Sequence, residues 1–405
     1  MLRRVLAPSD LAGLSEHRGA TVTVAGRVVL RARRQCVVGD ASAQVELVTR
    51  EVFDLRPGDW VLMRGLVRGR RLVDAVLVRR CSAPEPRQGG EFARQNWQGV
   101  GRRLRARSRV LAELRAYFAR HRFLEVDTPL VGPSPGFDTH VEGLRAEGGW
   151  LVTSPEQAMK RLLVGGHPRI YQLSHAFRAD EAGPWHEREF MLLEWYRAFA
   201  EPDAVMRDTE QLVARVARRI RGRAELLLPG GRRLDAAPPY PRLTVAEAFL
   251  RHAGVADVFR LATEDEPRFF ELLVSRVEPA LGMLDQPVWL TGYPITEAAL
   301  ARVAPGDPRV AERFELYAGG LELSNGFGEL TDPAEHRRRC RRARARRRAL
   351  GRRPQPPDPQ FLAAVDEGLP PAAGNALGVD RLVALVTGAA SIGLVQPLAA
   401  NPART

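Results

Sequence analysis

Residues 168–198, PRIYQLSHAFRADEAGPWHEREFMLLEWYRA, read as two strands joined by a polar loop. PRIYQLSHAFR and FMLLEWYRAFA alternate apolar and polar positions with the period of half-buried strands. The loop ADEAGPWHERE carries Gly183, Pro184 and mostly charged residues. Long antiparallel strands interspersed with helices argue for an α+β fold rather than a doubly wound sheet.

The rest of the chain supports that reading from both sides. Upstream, TVTVAGRVVL, QVELVTR, DWVLMRGLVRG and RLVDAVLVRR, all within residues 20–80, read as short strands punctuated by turn residues. A compact run of this kind suggests a small barrel of the OB type, though an arbitrary small β-domain fits the pattern equally. Residues 82–100 are rich in Pro, Gly and Gln and read as a linker. A helix is expected at about 102–121, then the strand FLEVDTPLV closed by Pro129. Downstream, helices are expected at about 202–222 and 244–253, and strands at 287–293 and 312–330. GNALGVDRLVALVTG reads as a strand or turn entering a helix. These readings divide the chain into a β-barrel domain (1–85), a linker (86–100) and a catalytic-type domain (101–405).

Composition excludes several classes. The chain has 405 residues, 45% hydrophobic and 27% charged, so it is neither disordered nor collagen-like. No apolar run reaches a membrane span, and no signal peptide is read at the N-terminus, so a cytoplasmic location is expected. Cys36, Cys81 and Cys340 are odd in number and far apart, fitting neither a disulfide framework nor a zinc site.

The formal charge of +13 is local. Residues 337–353, RRRCRRARARRRALGRR, hold eleven arginines and no acid, and without them 50 cations face 48 acids. Asp332 as N-cap, Pro333 at the first helical position and Glu335 at the third predict a helix through this run, stopped by Gly351 and Pro354. Cys340, Ala343, Ala345, Ala349 and Leu350 give it only a thin apolar stripe. It reads as a solvated face, as a contact for an acidic protein, or as a contact for tRNA phosphates. Lys160 is the one lysine in the chain.

Arg178 and Arg381 each sit among glycine, acidic and aromatic residues. Two fixed arginines can clamp the phosphates of a nucleotide, although either alone reads more readily as a surface ion-pair member. There is no P-loop and no Gly-x-Gly-x-x-Gly after a strand. Glu315, Glu322 and Glu329 recur every seven residues. On one strand, 315 and 329 would share a face and 322 would oppose them, unless the AGG and SNG segments bend the chain. Gathered acids would hold Mg²⁺ or an ammonium group; left apart, they would be solvated strand acids.

FRADEAGPWHEREFMLLEWYR resembles motif 2 of the class II aminoacyl-tRNA synthetases, GNALGVDRLVALVTGAASI resembles motif 3, and FLEVDTPLV with Pro129 resembles motif 1. SPEQAMKRLLVGG and FELYAGGLELSNGFGELTD are similar to the lysine-specific subgroup. Within it, the chain looks most like the elongation factor P–lysine ligases, paralogs of lysyl-tRNA synthetase. The resemblance covers about 101–400. Three details favour the ligase branch: the Asp138-x-His140 pattern, LEWYR after motif 2, and Ala376 where lysyl-tRNA synthetases have glycine. The N-terminal strands resemble the OB-fold anticodon-binding domain of those synthetases, which the usual ligases lack.

The resemblance implies a class II antiparallel-sheet domain that dimerises through motif 1 and activates lysine or (R)-β-lysine with ATP and Mg²⁺. The activated amino acid would pass to a lysine of elongation factor P. Arg178 would hold the α-phosphate, and Phe190 and Arg381 would sandwich adenine. Asp180, His186, Glu187, Leu323 and Gly378 would line the ATP site, and Glu315 and Glu322 would bind Mg²⁺. Ser154, Glu156, Tyr196, Asn325, Glu329 and Ala376 would surround the lysine substrate. Lys160 falls at a shared lysine, with packing as its expected role. Two features depart from the ligases: Glu187-Arg188 replaces Asn-Pro, and Asp180 replaces Glu. The barrel implies RNA contact as one reading, but Phe53 and Trp60 are its only strand aromatics, and base stacking needs aromatics. A compact lysyl-tRNA synthetase and a non-catalytic, nucleic-acid-binding paralog are the alternatives.

Overall fold

The computed structural model describes residues 11–32, 35–49, 54–181 and 183–398. They fall into two compact units, the first running to Ser108 and including Leu394–Pro397, the second formed by Arg109–Gly393 and the residues from Leu398. The division falls inside the helix α1 (Val100–Arg120), beyond the Pro/Gly-rich segment. That segment itself contains a short helix, Glu91–Asn96.

The first unit is a closed five-stranded barrel: β1 (Thr21–Ala32), β2 (Gln35–Gly39), β3 (Gln44–Val48), β4 (Trp60–Arg68) and β5 (Arg71–Cys81), in the order β1-β2-β3-β5-β4. β3 and β5 run parallel and β1 closes onto β4, the strand order of an OB barrel. Alternation fills the inside: β4 buries Val61, Met63 and Val67 and exposes Trp60, Arg64 and Arg68. β2 is absent from the strand reading above, because an arginine cluster precedes its five residues. Trp60 lies on the outside with the Arg27 guanidinium 5.6 Å from its ring centroid. Phe53 lies outside the described residues.

The second unit is built on an eight-stranded sheet. Its strands are β6 (Leu124–Glu125), β7 (Arg169–Phe177), β8 (Glu189–Ala198), β9 (Arg242–Thr244), β10 (Val288–Pro294), β11 (Val310–Ala318), β12 (Leu321–Gly328) and β13 (Ala372–Gly378). The order is β9-β10-β11-β12-β13-β8-β7-β6, with only β6–β7 and β9–β10 parallel. One face packs on helices that include α1 and Pro202–Arg221. Phe118 of α1 stacks on Tyr171 at 4.4 Å between centroids and meets the fully buried Trp195. The strand expected at FLEVDTPLV shrinks to Leu124–Glu125, since Pro129 and the charges around it leave the sheet edge after one pair of partners.

The segment 312–330 is a hairpin. Gly319 and Gly320 both have positive φ, 65° and 82°, as a two-residue turn between right-twisted strands requires. AGG therefore separates the strands, whereas SNG runs straight through β12 with Asn325 opposite Glu315. Gly326 is forced by packing: a Cβ there would lie 2.3 Å from the Phe314 ring and 2.7 Å from the Gly374 carbonyl. Gly326→Ala should therefore lower stability by about 2 kcal/mol through overpacking. The check is a urea unfolding curve whose midpoint falls while its slope is unchanged.

Candidate functional site

The open face of the sheet builds the site by the two-residue period of its strands. One row of paired residues runs Glu315–Asn325–Ala376–Glu194–Gln172 across β11, β12, β13, β8 and β7. A second row on the same face runs Arg313–Phe327–Gly374–Tyr196–Ile170. β13 contributes only Ala372, Gly374, Ala376 and Gly378 to this face, so the floor between flanking polar side chains stays low. A Cβ at Gly374 would meet the Tyr196 ring at 2.4 Å and Glu329 Oε1 at 2.8 Å.

Helix α2 (Glu156–Val164) brings Lys160 to one end of this floor. Lys160 is fully buried, and its Nζ lies 2.5 Å from Glu156 Oε1 and 2.5 Å from Glu329 Oε2. Its expected packing role is thus corrected: it is the resident ammonium of an acidic pocket. Glu194, which the motif reading passed over, is the third acid. It accepts a hydrogen bond from Ser154 Oγ at 2.5 Å and faces the Tyr196 hydroxyl at 3.4 Å. Burial and the neighbouring Glu156 push the Glu194 carboxyl up to about 8. Burial raises Glu329 as well, against the pull of Lys160. Lys160 is held more firmly protonated than an ordinary lysine, because Glu156 and Glu329 outweigh the cost of burying it. The pocket therefore gathers three acids around one ammonium, and burial makes Glu194 and Glu329 hold a proton more tightly than ordinary carboxyls.

The other end gathers arginines. The Arg178 guanidinium lies 5.0 Å from the Phe190 ring centroid and donates to Glu181 at 3.0 Å. Arg381, in the helix Val379–Thr387 that follows β13, donates to the Glu322 carbonyl at 2.6 Å, the Trp185 carbonyl at 3.3 Å and His186 Nε2 at 2.8 Å. His186 is kept neutral by burial and by that arginine, so it can accept. Asp180 is exposed, and Glu187 is half-buried in the same loop. The Leu323 side chain is buried, which leaves only its backbone on this side.

The three hairpin acids split between the two ends. Glu329 joins Lys160, while Glu315 and Glu322 stay near the arginines. Glu315 is fully engaged: Arg313 at 2.6 Å and Asn325 at 3.1 Å bind one oxygen, and Tyr317 at 2.8 Å and Tyr293 bind the other. It could reach a cation only by giving up one of these bonds. Glu278 adds an unforeseen carboxyl, pushed up to about 7 by burial and by Glu315 and Glu322. The Glu322 carboxylate is partly open, with Arg381 Nη1 3.8 Å from its Oε2. Crowded, under-compensated carboxyl oxygens of this kind suit a hard divalent cation.

A cavity of about 1780 Å³ opens over the ammonium end. The arginine-rich helix α3 (Pro333–Ala349) forms one wall, so it is not simply a solvated face. The predicted cap is present, with Asp332 accepting from the Ala334 and Glu335 amides at 2.8 and 3.3 Å. Arg347 is 1% exposed and donates to the Thr139 and Val141 carbonyls at 3.0 and 2.9 Å, and to Glu142. It thereby pins the loop carrying Asp138 and His140. The Asp138 carboxylate accepts from the His140 amide at 2.7 Å, and His140 Nε2 lies 2.9 Å from Glu266.

The model of class II tRNA synthetases of the D, K and N type matches residues 92–402. An elongation factor P–(R)-β-lysine ligase from Vibrio cholerae serotype O1 is 37% identical over 314 residues, 70% of this chain and 91% of that protein. The same-named ligase from Klebsiella pneumoniae strain 342 is 38% identical over 324 residues, 72% of this chain and 93% of that protein. A lysine–tRNA ligase from Azoarcus is 34% identical over 308 residues, 71% of this chain but 61% of that protein.

Two outcomes follow from the ammonium end. A carboxyl raised from the usual range to about 8 binds a proton in the folded state that the unfolded chain has released, so its contribution to stability falls as pH rises from about 4.5 to 8. Glu194→Gln should flatten that decline in chemical denaturation between pH 5 and 8. Lys160→Met leaves Glu156 and the buried Glu329 without their cation and should cost about 3 kcal/mol at pH 8. The loss should be smaller at pH 5, where Glu329, raised by burial, takes up a proton.

Proposed function

The chain belongs to the class II tRNA synthetases of the D, K and N type, and from that membership we propose that it is an ATP-dependent, AMP-forming lysine ligase. It activates lysine or (R)-β-lysine and transfers it to a lysine side chain of elongation factor P. The single observation that carries the substrate class is the charge balance at the ammonium end. Glu156, Glu194 and Glu329 face one resident ammonium. Two negative charges remain once Glu194 releases its proton, and both lysine isomers bring two ammonium groups. Their carboxylate then points along the floor, past Ala376, toward Arg178.

The residues support that chemistry step by step. Glu156, Glu194, Glu329, Tyr196 and Ser154 fix the diamino acid, and Asn325 closes the row beside it. Arg178 stabilises charge on the α-phosphate as the substrate carboxylate attacks and pyrophosphate leaves. Phe190 and Arg381 hold the base, with His186 keeping Arg381 in place. Asp180, Glu187, the Leu323 backbone and Gly378 border the nucleotide. Glu322, with Glu278 beside it and with Glu315 once it gives up one of its four hydrogen bonds, would hold Mg²⁺, which would supply neutralisation of phosphate charge. The amine of the acceptor lysine then attacks the activated carboxyl carbon, forming an amide and releasing AMP. The Ala376 methyl shapes the pocket around the substrate amine and favours the β-isomer by a modest factor.

The ligases named above share over 90% of their length with this chain, whereas the lysine–tRNA ligase shares 61%. That contrast favours elongation factor P over tRNA as acceptor. The exposed edge at Leu124, Leu130 and Val131 supports a homodimer through motif 1. The barrel supports RNA contact less well, because Trp60 is the one aromatic on its described strands and base stacking needs several. No helix among the described residues is long and apolar enough to cross a membrane, and ATP and the acceptor place the reaction in the cytoplasm.

The test is pyrophosphate release from ATP and Mg²⁺ with α-lysine or (R)-β-lysine, followed by transfer to elongation factor P or to tRNA-Lys. The expected result is a lysine-dependent signal passed to elongation factor P. Arg178→Ala should lower the rate of pyrophosphate release by about a hundredfold or more. Release that is independent of both lysines, or transfer to tRNA alone, would overturn the reading.

A further inference from the structure

Most arginines of α3 are committed within the fold. Arg337 pairs with Asp366, Arg338 and Arg339 with Glu335, and Arg346 with Glu266. Arg347 is buried against backbone carbonyls. Arg341 and Arg342 differ. Both are exposed, both line the cavity, and neither has a hydrogen-bond or ion-pair partner among the described residues. The acids of the facing wall are used locally: Glu264 binds Arg260 at 2.9 Å, Asp265 caps a helix by accepting from the Arg268 amide at 3.1 Å, and Glu266 holds His140 and Arg346. Along the rim that α3 forms, apart from the acids of the floor, the charge without a partner among the described residues is therefore positive and lies on two adjacent guanidinium groups.

An acceptor lysine must enter this cavity to reach the activated carboxyl, so the backbone that carries it has to lie along the rim. We propose that Arg341 and Arg342 dock the acceptor protein by pairing with carboxylates close to its acceptor lysine. This rests on the acceptor being a protein, as proposed above. Two planar forks suit discrete carboxylates, which they bind in bidentate fashion. A continuous phosphate backbone suits the rim poorly, since it presents a run of charges along a strand and only two adjacent cavity-lining arginines of α3 lack partners among the described residues. Pairing at a rim chiefly accelerates encounter, so its signature is kinetic and salt-dependent.

The experiment compares the full-length protein with its Arg341→Glu/Arg342→Glu variant in two assays run on the same preparation. Lysine-dependent ATP–pyrophosphate exchange reads activation alone, and transfer to elongation factor P reads docking. The expected result is exchange within twofold of the parent, with kcat/KM for transfer reduced about tenfold or more through KM. The fall of transfer rate with added salt should be shallower than in the parent. Unchanged transfer with an unchanged salt dependence would overturn the inference while leaving the activity intact. Equal loss of exchange and transfer would also overturn it, since the arginines would then serve the fold or the activation step. A parent that forms adenylate but charges only tRNA would remove the acceptor reading itself, and the inference with it.

Discussion

An ammonium sealed from solvent between two carboxylates is the constraint around which the second unit is arranged. Taking such charges out of water costs several kcal/mol per ion, and the cost is offset only when geometry and remaining hydrogen bonds are held tightly. Three elements supply that geometry. Glu156 stands in the first turn of α2, where the helix dipole favours an acid, and Lys160 follows one turn later on the same face. Glu329 arrives at the end of β12, with its amide bonded to the Ala372 carbonyl at 2.9 Å. Tyr196 closes the side, and Gly374 is bare because any side chain there would displace both Tyr196 and Glu329.

The same sheet separates two chemistries that would otherwise cancel. Acids collect where β8 and β12 meet α2, and arginines collect where the loop after β7 meets the helix after β13. A zwitterion with extra positive charge has one favoured orientation along such a floor, ammonium groups toward Lys160 and carboxylate toward Arg178. Glu315 lies between the two ends but contributes to neither as a free anion. Its two tyrosines, arginine and asparagine make it a rigid brace that fixes Asn325 and Arg313 on the cavity face. The upward push of burial on the Glu194 carboxyl limits the negative charge that the pocket accumulates without removing its capacity to bind a cation.

Much of this was legible in the sequence wherever a local rule decides the outcome. The strand pair around the motif-2 loop, the Gly-Gly turn and the Asp332 cap all follow from residues within a few positions of one another. Short elements were lost for the same reason. β2 has too few residues for periodicity to register, and the strand after α1 is cut short by edge geometry that no local pattern states. Glu194 could have been found, since it stands two residues before Tyr196 and must share its face. Lys160 announced itself as the one lysine kept in an arginine-rich chain, but its duty depends on Glu329, which is 169 positions away. Glu278 reaches Glu315 and Glu322 only through the packing of a separate helix against β11, so no spacing in the sequence points to it.

The arginine helix shows why charge counts and structural roles part company. A run of nine arginines between Pro333 and Ala349 looks uniform in composition, yet its members sit in different physical settings. Arg347 uses its rigid fork to satisfy carbonyls at Thr139, Val141 and Arg353 together with the Glu142 carboxylate. A lysine has three donors on one point and could not span those acceptors, so at this position arginine is a requirement of the fold rather than a bias of composition. Arg337 and Arg338 make partly exposed pairs, worth a fraction of a kcal/mol each, where lysine would serve nearly as well, whereas Arg339 spans Glu335 and the Ala299 and Ala301 carbonyls. Arg341 and Arg342 have no hydrogen-bond or ion-pair partner among the described residues. A helix that carries two such charges gains no stability from them, so their place on the cavity wall is explained by what approaches the cavity and not by what holds it together.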